Sequence, residues 1–419
     1  TGANNTAVGV AALDANTTGA ENTALGRAAL SANTTASYNV GVGMQALLAN
    51  TTGAENTALG YRSLVANTTG TKNVAVGSSS LDECTTGDFN TAVGTSALTS
   101  VTTSDNNTAF GYAAGQEITT GYENTAVGQG ALSATTTGFR NQSFGTNSLL
   151  LNTTGEDNVA LGQSAMQTNT TGDKNTASGN YALKSATTAS NNTAVGYYAL
   201  YANTTGTQNV ALGTNALDAA VTVNNNTAIG YNALTVCTIG DNTAVGAESM
   251  AATTTGTYNT AVGKSALNDN TTASNNTAIG AFSLGANTTG TGNNTLGYQS
   301  LDANTTGNYN TAMGHVALTA NTTAADNSAF GGQAMYANTT GANNTGIGSQ
   351  ALYANTTGAN NTAVGMQALD ANTTATANTA VGKSALGATT TGSYNTAVGY
   401  NAGDTITTGQ SNTLMGYET

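Results

Sequence analysis

The sequence predicts an all-β protein: a parallel β-solenoid of 25 coils with a 17-residue repeat. The motif Asn-Thr-Ala-Val-Gly recurs 25 times in 419 residues, with Asn first and Gly fifth in every copy. Successive copies are 17 residues apart, except for one 16-residue unit near 230–246. Such a unit is too short for two packed helices, and a Gly in each copy would destabilise helix interiors by about 1 kcal/mol. Stacked β-coils satisfy both constraints.

We number repeat positions from 0 at the Asn, so that the consensus in one-letter code is NTAVGxxALxANTTGxx. Positions 0–4 and 7–13 are rich in Thr, Val and Ala and are expected to be extended, with turns at positions 5–6 and 14–16. Residues 1–419 are expected to form a single array. Neither end resembles a capping repeat, so we interpret the chain as an uncapped slice of a longer fibre, with end-to-end stacking possible.

The distribution of residue types predicts which positions face outward. Of 29 charged residues, 26 lie at positions 5, 6, 9, 15 and 16, and so do all 17 Tyr. These five positions are predicted to be the surface. Position 3 holds mainly Val or a larger apolar residue such as Phe110, Phe144 or Phe330, and position 8 holds mainly Leu or Met. Both positions are predicted to form the core.

Position 11 is usually Asn, within an Asn-Thr-Thr triplet that is also an N-glycosylation acceptor. Apolar residues such as Val101 and Ile118 replace it in some coils, which favours a buried ladder of stacked amides over a sugar-bearing Asn. The first members of this ladder are Asn16, Asn33, Asn50 and Asn67. The exposed position 16 offers better candidates for glycosylation: Asn4, Asn106, Asn191, Asn225, Asn275, Asn343 and Asn360.

The residues give little support for an enzyme, a metal site or a cofactor site, and we expect none of the three. His315 is the single histidine and stands at an outward position. The acid pairs Asp88/Asp105 and Glu156/Asp173 lie in adjacent coils but lack the six to eight oxygens of a calcium site. A column of alternating charge is expected to stabilise the stack: Glu123, Arg140, Asp157 and Lys174.

The two cysteines share position 11 and are 153 residues apart. Nine coils separate them, so an intrachain disulfide is excluded. We interpret both thiols as small apolar side chains in ladder positions.

Composition argues against two classes of partner. Eight Lys+Arg against 21 Asp+Glu give a net charge of −13, which leaves no cationic surface for nucleic acid. No run approaches the roughly 20 apolar residues that span a bilayer, so membrane insertion is not expected.

In the first predicted strand of the repeat, the choice of residue type is restricted on both faces. Asn, Ala and Gly occupy one side, and Thr and Val occupy the other. A lone solenoid is expected to leave one face of a strand free to vary. We therefore expect the small-residue face to pack against other copies of the chain, as a homotrimer. A lone solenoid with a flat Thr/Asn/Ala face is the competing interpretation.

Stretches such as Asn192-Thr193-Ala194-Val195-Gly196-Tyr197-Tyr198-Ala199-Leu200 resemble the repeats of the YadA-like heads of trimeric autotransporter adhesins. They also resemble the Asn-Thr-Ala-[Val/Ile]-Gly-Tyr-x-Ala-Leu arrays of phage and bacterial tail-fibre-domain proteins. The resemblance covers the whole chain. It implies parallel β-roll coils, trimerisation and an extracellular, cell-surface or virion setting. Adhesin heads generally use a shorter unit, and we expect neither a membrane anchor nor a coiled-coil stalk within these 419 residues.

The predicted function is the structural, non-enzymatic shaft of an extracellular fibre or appendage. The alternatives are a heavily glycosylated surface fibril, an adhesin that binds cell-surface glycans, or an ice-binding surface. The binding alternatives would use the Thr pairs of positions 12 and 13 or the Tyr residues of position 5. These tyrosines are Tyr61, Tyr112, Tyr197, Tyr231, Tyr298 and Tyr400.

Overall fold

The structure, a computed structural model, describes residues 2–419. The predicted fold is confirmed: the chain is an all-β parallel solenoid of about 25 coils with a repeat of about 17 residues. It comprises two compact units, Thr1–Asn209 and Val210–Thr419. Every coil contributes one three-residue strand, at repeat positions 1–3.

The first unit contains twelve strands: β1 (Thr6–Val8), β2 (Thr23–Leu25), β3 (Val40–Val42), β4 (Thr57–Leu59), β5 (Val74–Val76), β6 (Thr91–Val93), β7 (Thr108–Phe110), β8 (Thr125–Val127), β9 (Gln142–Phe144), β10 (Val159–Leu161), β11 (Thr176–Ser178) and β12 (Thr193–Val195). The second unit contains thirteen: β13 (Val210–Leu212), β14 (Thr227–Ile229), β15 (Thr243–Val245), β16 (Thr260–Val262), β17 (Thr277–Ile279), β18 (Asn294–Leu296), β19 (Thr311–Met313), β20 (Ser328–Phe330), β21 (Thr345–Ile347), β22 (Thr362–Val364), β23 (Thr379–Val381), β24 (Thr396–Val398) and β25 (Thr413–Met415).

Within each unit, successive strands pair in parallel and in register. Ala7 lies opposite Ala24, and the same one-repeat step recurs along the sheet. The step is 16 residues only where Thr227 pairs with Thr243. In that coil the amide of Asn226 donates to the carbonyl of Ile239, which takes the place of position 14, so the omitted residue is the one at position 13. The ladder therefore continues through the short coil without a slip.

The predicted second extended run is wrong. Positions 5–10 form turns and positions 12–13 form a bend. The backbone enters the left-handed region at positions 6 and 8, for example at Leu30 (φ 53°) and Leu47 (φ 52°), which is incompatible with a pleated strand. Hydrogen bonds still join the coils, as from Leu30 N–H to the Ala46 carbonyl at 3.0 Å. Complete burial of both Leu side chains offsets the unfavourable φ.

The prediction for position 8 is confirmed, whereas that for position 3 is wrong. Leu30 and the other Leu and Met residues at position 8 are fully buried except in the first coil, where Leu13 is half-buried, but Phe110, Phe144 and Phe330 are 43%, 39% and 37% exposed. Successive side chains of a strand point to opposite faces. Ala at position 2 points inward against the Leu of position 8, so position 3 must point outward.

The invariant Gly of position 4 has a conformational and a steric cause. Gly26 has φ +136°, and a Cβ added there would lie 2.5 Å from the carbonyl oxygen of Gly43 in the next coil. No other residue type combines this φ with such a close approach of two backbones.

Candidate functional site

The asparagines of position 11 form a buried amide ladder. Asn33 Nδ2 donates to Asn16 Oδ1 at 3.1 Å, Asn50 Nδ2 to Asn33 Oδ1 at 2.9 Å, and Asn67 Nδ2 to Asn50 Oδ1 at 2.7 Å. Each amide has a further acceptor in its own coil, such as the Gly53 carbonyl for Asn50 at 2.9 Å. Side chains held in this way are inaccessible for N-linked sugars.

A second ladder, which sequence reasoning missed, occupies position 0. Asn56 Oδ1 accepts from the backbone N–H of Asn73 at 2.9 Å, while Asn56 Nδ2 donates to the Gly70 carbonyl at 2.8 Å. Only Asn supplies both an acceptor and a donor at this length within a fully buried site. The signal for this ladder was present in the sequence, since position 0 is Asn in all 25 copies.

The inward direction of positions 0 and 2 corrects the argument for a packed small-residue face. Asn39 and Ala58, like their counterparts in other coils, are fully buried within their own coil stack. The restriction of these positions is therefore explained within one chain. Of the two faces of the strand, only the one that carries positions 1 and 3 remains available to a partner.

This outward face carries an apolar column, by which we mean the position-3 side chains of the strands within one unit. Fifteen position-3 side chains are 37–71% exposed: Val8, Leu25, Leu59, Phe110, Phe144, Leu161, Leu212, Val262, Ile279, Leu296, Met313, Phe330, Ile347, Val381 and Met415. The other position-3 side chains are half-buried, and all of them are aliphatic except Ser178. An exposed apolar surface of this continuity marks an interaction site.

The six candidate tyrosines of position 5 are 42–60% exposed. They do not form a stripe, because most are separated by coils with other residues at position 5. Tyr298 stacks on His315, with ring centroids 5.7 Å apart. Tyr400 stacks on Tyr417 at 5.3 Å. Tyr197 joins a group of tyrosines described below.

The seven glycosylation candidates at position 16 are all exposed, with φ between 58° and 62°. Asn tolerates this left-handed conformation better than most residues. Asn225 differs from the others because its amide donates to Asp241 Oδ1 at 3.1 Å.

The two threonine positions have different environments. Position-12 hydroxyls donate to the carbonyl of the same position in the next coil, as from Thr17 to Thr34 at 2.9 Å. Position 13 is Thr in all 23 coils that have it between two successive motifs, and each of these threonines is exposed. The threonine file of position 13 therefore presents one methyl and one hydroxyl group per coil.

The acid pairs accept hydrogen bonds from the backbone. Asp105 Oδ1 accepts from the N–H of Asp88 at 2.7 Å, and Asp173 Oδ1 accepts from the N–H of Glu156 at 2.9 Å. Ser and Asn at position 15 accept in the same way, as Ser37 does from Ala20 at 3.0 Å. No group of three or more potential metal ligands occurs within residues 2–419.

Two ion pairs bridge neighbouring coils in the first unit. Arg140 binds Asp157 through two hydrogen bonds, of 2.6 and 2.9 Å, and this contact lowers the pKa of Asp157. It is the one ion pair that the described residues form within the predicted charge column. Arg62 and Asp82 form a second bridge at 3.1 Å, from position 6 to position 9 of the next coil, a spacing that the sequence did not reveal.

Both cysteines are buried and carry free thiols. Burial raises the pKa of the Cys84 thiol to about 11, so the reactive thiolate is scarce at neutral pH. These thiols are not arranged for nucleophilic chemistry.

The part of the chain that the structure describes has no helix with the length and apolar character needed to cross a bilayer. Its most extensive surface features are the apolar column and the threonine file. Comparison with protein-family models and with curated proteins finds no match to this chain.

Proposed function

We propose that the chain is the structural, non-enzymatic shaft of an extracellular fibre or appendage, in which copies of the chain pack along their apolar columns. The apolar column is the observation that carries this proposal. A shaft also requires resistance to local opening, which the two buried amide ladders supply. Each coil adds the same backbone and side-chain bonds to its neighbours, so stiffness accumulates with repeat number.

The size of the column supports another copy as its partner. Six position-3 side chains of the first unit are 39–56% exposed: Val8, Leu25, Leu59, Phe110, Phe144 and Leu161. At roughly 80 Å² each they leave roughly 500 Å² accessible, and five half-buried valines add to this area. The total approaches the roughly 800 Å² that one partner contributes to a standard protein interface. An identical chain offers the same spacing between coils, which makes its column complementary along the full length of a unit.

The number of copies that we propose is three, in a parallel homotrimer. Three columns that converge on a common axis cover one another, and the sequence resemblance to trimeric fibre and adhesin repeats supports this number. The proposed setting is outside the cell, on a cell surface or on a virion. End-to-end stacking and contact with cell-surface glycans belong to the same proposal.

The mass of the particle in solution, measured by sedimentation equilibrium and divided by the chain mass, tests this assembly. We expect a ratio of three that persists on dilution to the nanomolar range. A ratio of one would overturn the proposal, because the apolar column would then face solvent. Mass spectrometry of the denatured chain separates added glycan mass from added copies.

A second candidate function, favoured by the threonine file, is a binding surface for ice or for glycans. Exposed positions such as 5 and 16 vary freely, whereas position 13 does not. Replacement of Thr86 and Thr103 by Tyr should abolish inhibition of ice recrystallisation or retention on a glycan array if this candidate is correct. Thr95→Tyr, at the exposed position 5 of the same region, is the matched control.

A further inference from the structure

Four tyrosines from two adjacent coils of the first unit form a compact group, here called the tyrosine cluster: Tyr181, Tyr197, Tyr198 and Tyr201. Tyr198 is its centre, with ring centroids 4.3 Å from Tyr197, 4.6 Å from Tyr201 and 5.2 Å from Tyr181. Lys184 places its ammonium 5.3 Å from the Tyr181 ring and 5.7 Å from the Tyr201 ring. No other part of the described chain brings four aromatic rings together.

The rings of this cluster are close enough for neighbouring phenols to react with one another. The centroid of the Tyr198 ring lies 4.3–5.2 Å from those of its three neighbours, so the ring edges are in contact. Interaction with Tyr197 also raises the pKa of Tyr198. The ring carbons ortho to the hydroxyl-bearing carbon are the positions at which phenoxyl radicals couple.

The cluster is accessible to a reagent in solution. Tyr197 is 50% exposed, and the other three rings are half-buried. The chain contains no Trp, and both Cys thiols are buried, so two side chains that commonly compete for a one-electron oxidant are absent or inaccessible.

We propose that the tyrosine cluster is a site of oxidative cross-linking, at which Tyr198 couples to a neighbouring tyrosine by a carbon–carbon bond. A one-electron oxidant of the peroxidase and hydrogen peroxide class removes one electron from each of two phenols, and each phenol releases its proton. The two phenoxyl radicals join at their ortho carbons, and loss of the ring hydrogens to the hydroxyl oxygens restores aromaticity. One hydrogen peroxide accepts the two electrons and two protons and becomes two waters.

The pair Tyr181 and Tyr198 gives this chemistry a structural consequence. Both residues stand at position 6, one coil apart and 17 residues apart in sequence. A bond between them links the coils of β11 and β12 covalently. The cross-link would oppose separation of these two coils in a shaft under load.

The experiment treats the full chain at about 1 µM with peroxidase and hydrogen peroxide, then maps cross-linked peptides by mass spectrometry. Contact holds the two rings at an effective concentration of at least about 1 mM, so coupling within the cluster should exceed coupling between separate particles by roughly 10³. We expect the Tyr181–Tyr198 peptide pair, lighter by two hydrogen atoms, to dominate together with Tyr198–Tyr201. Tyr198→Phe should abolish these products while its ring preserves the packing.

Tyr112→Phe is the matched control, because Tyr112 is 60% exposed and contacts no other aromatic ring among the described residues. It should leave the yield of cluster products unchanged. Denaturant should lower the yield of the Tyr181–Tyr198 product several-fold, since that pair is adjacent only in the folded chain. Equal coupling among isolated tyrosines, or an unchanged yield in Tyr198→Phe, would overturn the proposal.

Discussion

Cys84 stands where the amide ladder needs a donor for Asn67. The Oδ1 of Asn67 is buried and has no hydrogen-bond partner among the described residues, because the next coil places a thiol at position 11. The ladder is interrupted in the same way after Asn169 and after Asn372, whose Oδ1 atoms are also buried without a partner. The next coils place Ala186 and Thr389 at position 11. The ladder is therefore a series of segments, three of which end on an unsatisfied carbonyl, whereas Asn203 Oδ1 accepts from the N–H of Gly206 at 3.1 Å.

Cys84→Asn should extend the ladder and stabilise the first unit. The new amide would donate to Asn67 Oδ1 and to the Gly87 carbonyl, which Cys84 Sγ now contacts at 3.7 Å. The new amide would make two buried hydrogen bonds, each of which contributes about 1 kcal/mol. Its own Oδ1 would face the buried Val101 of the next coil and replace Asn67 Oδ1 as the unsatisfied carbonyl, which leaves the number of unsatisfied groups unchanged. Denaturant unfolding should show a net gain of about 1 kcal/mol. Cys84→Ala is the control and should show no gain; an equal gain in both variants would mean that loss of the thiol is the cause.

Leu161→Asp should dissociate the proposed assembly without unfolding the chain. Leu161 belongs to the apolar column and is 39% exposed, so a carboxylate there is hydrated in the free chain and buried at the interface. Loss of the covered apolar area weakens association by roughly 1.5–2 kcal/mol per chain, and the buried charge weakens it further. Sedimentation equilibrium measures the effect.

Leu151→Asp is the matched control for the column. Leu151 is 44% exposed but lies at position 10, away from the outward sheet face. We expect it to assemble like the unmodified chain. Equal dissociation of both variants would place the interface elsewhere, and assembly of both would remove the column from the interface.

Gly348→Ala should destabilise the second unit, because Gly348 has φ +130° and an added Cβ would lie 2.6 Å from the carbonyl oxygen of Gly365. Backbone strain alone is worth about 1–3 kcal/mol, and the contact adds to it. Gly332→Ala, where no heavy atom lies within 4 Å, should have little effect. Thermal unfolding of the two variants measures the difference. Similar midpoints would show that the coils separate easily enough to admit a methyl group.

Ionisation of the partly buried Asp302 carboxyl group should lower the stability of the second unit as pH rises. Desolvation raises the pKa of Asp302 above its ordinary value, so the folded state binds the proton more tightly than the unfolded state. The stabilising contribution is complete below the ordinary pKa and is lost as pH rises through the folded pKa. Asp302→Asn should therefore raise the unfolding midpoint at pH 7 and reduce its fall between acidic and neutral pH. Asp157→Asn is the opposite case, since Arg140 lowers that pKa, and should lower the midpoint at pH 7.

The exposed and buried sides of the turns were largely predictable from the sequence. Charges and tyrosines concentrate at positions 5, 6, 9, 15 and 16 because an ionised group at a buried position has no solvent. The inward direction of position 11 was predicted from Val101 and Ile118, because apolar residues rarely replace an Asn that faces solvent. The tyrosine cluster was not predicted, although three tyrosines at positions 5, 6 and 9 of one coil were visible at 197, 198 and 201.

Period, parallel pairing and register follow from sequence alone, because a repeat of 17 residues with one invariant Asn and one invariant Gly stacks in a single way. The direction of each side chain depended on tertiary structure. Strand alternation specifies that the side chains of positions 2 and 3 point to opposite faces of the sheet. The residue at position 3 is the larger of the two, so the sequence suggested that position 3 was the core position, whereas position 2 is. The left-handed Leu of position 8 fills the interior and leaves space at position 2 mainly for small residues such as Ala, so Val, Leu and Phe of position 3 lie outside.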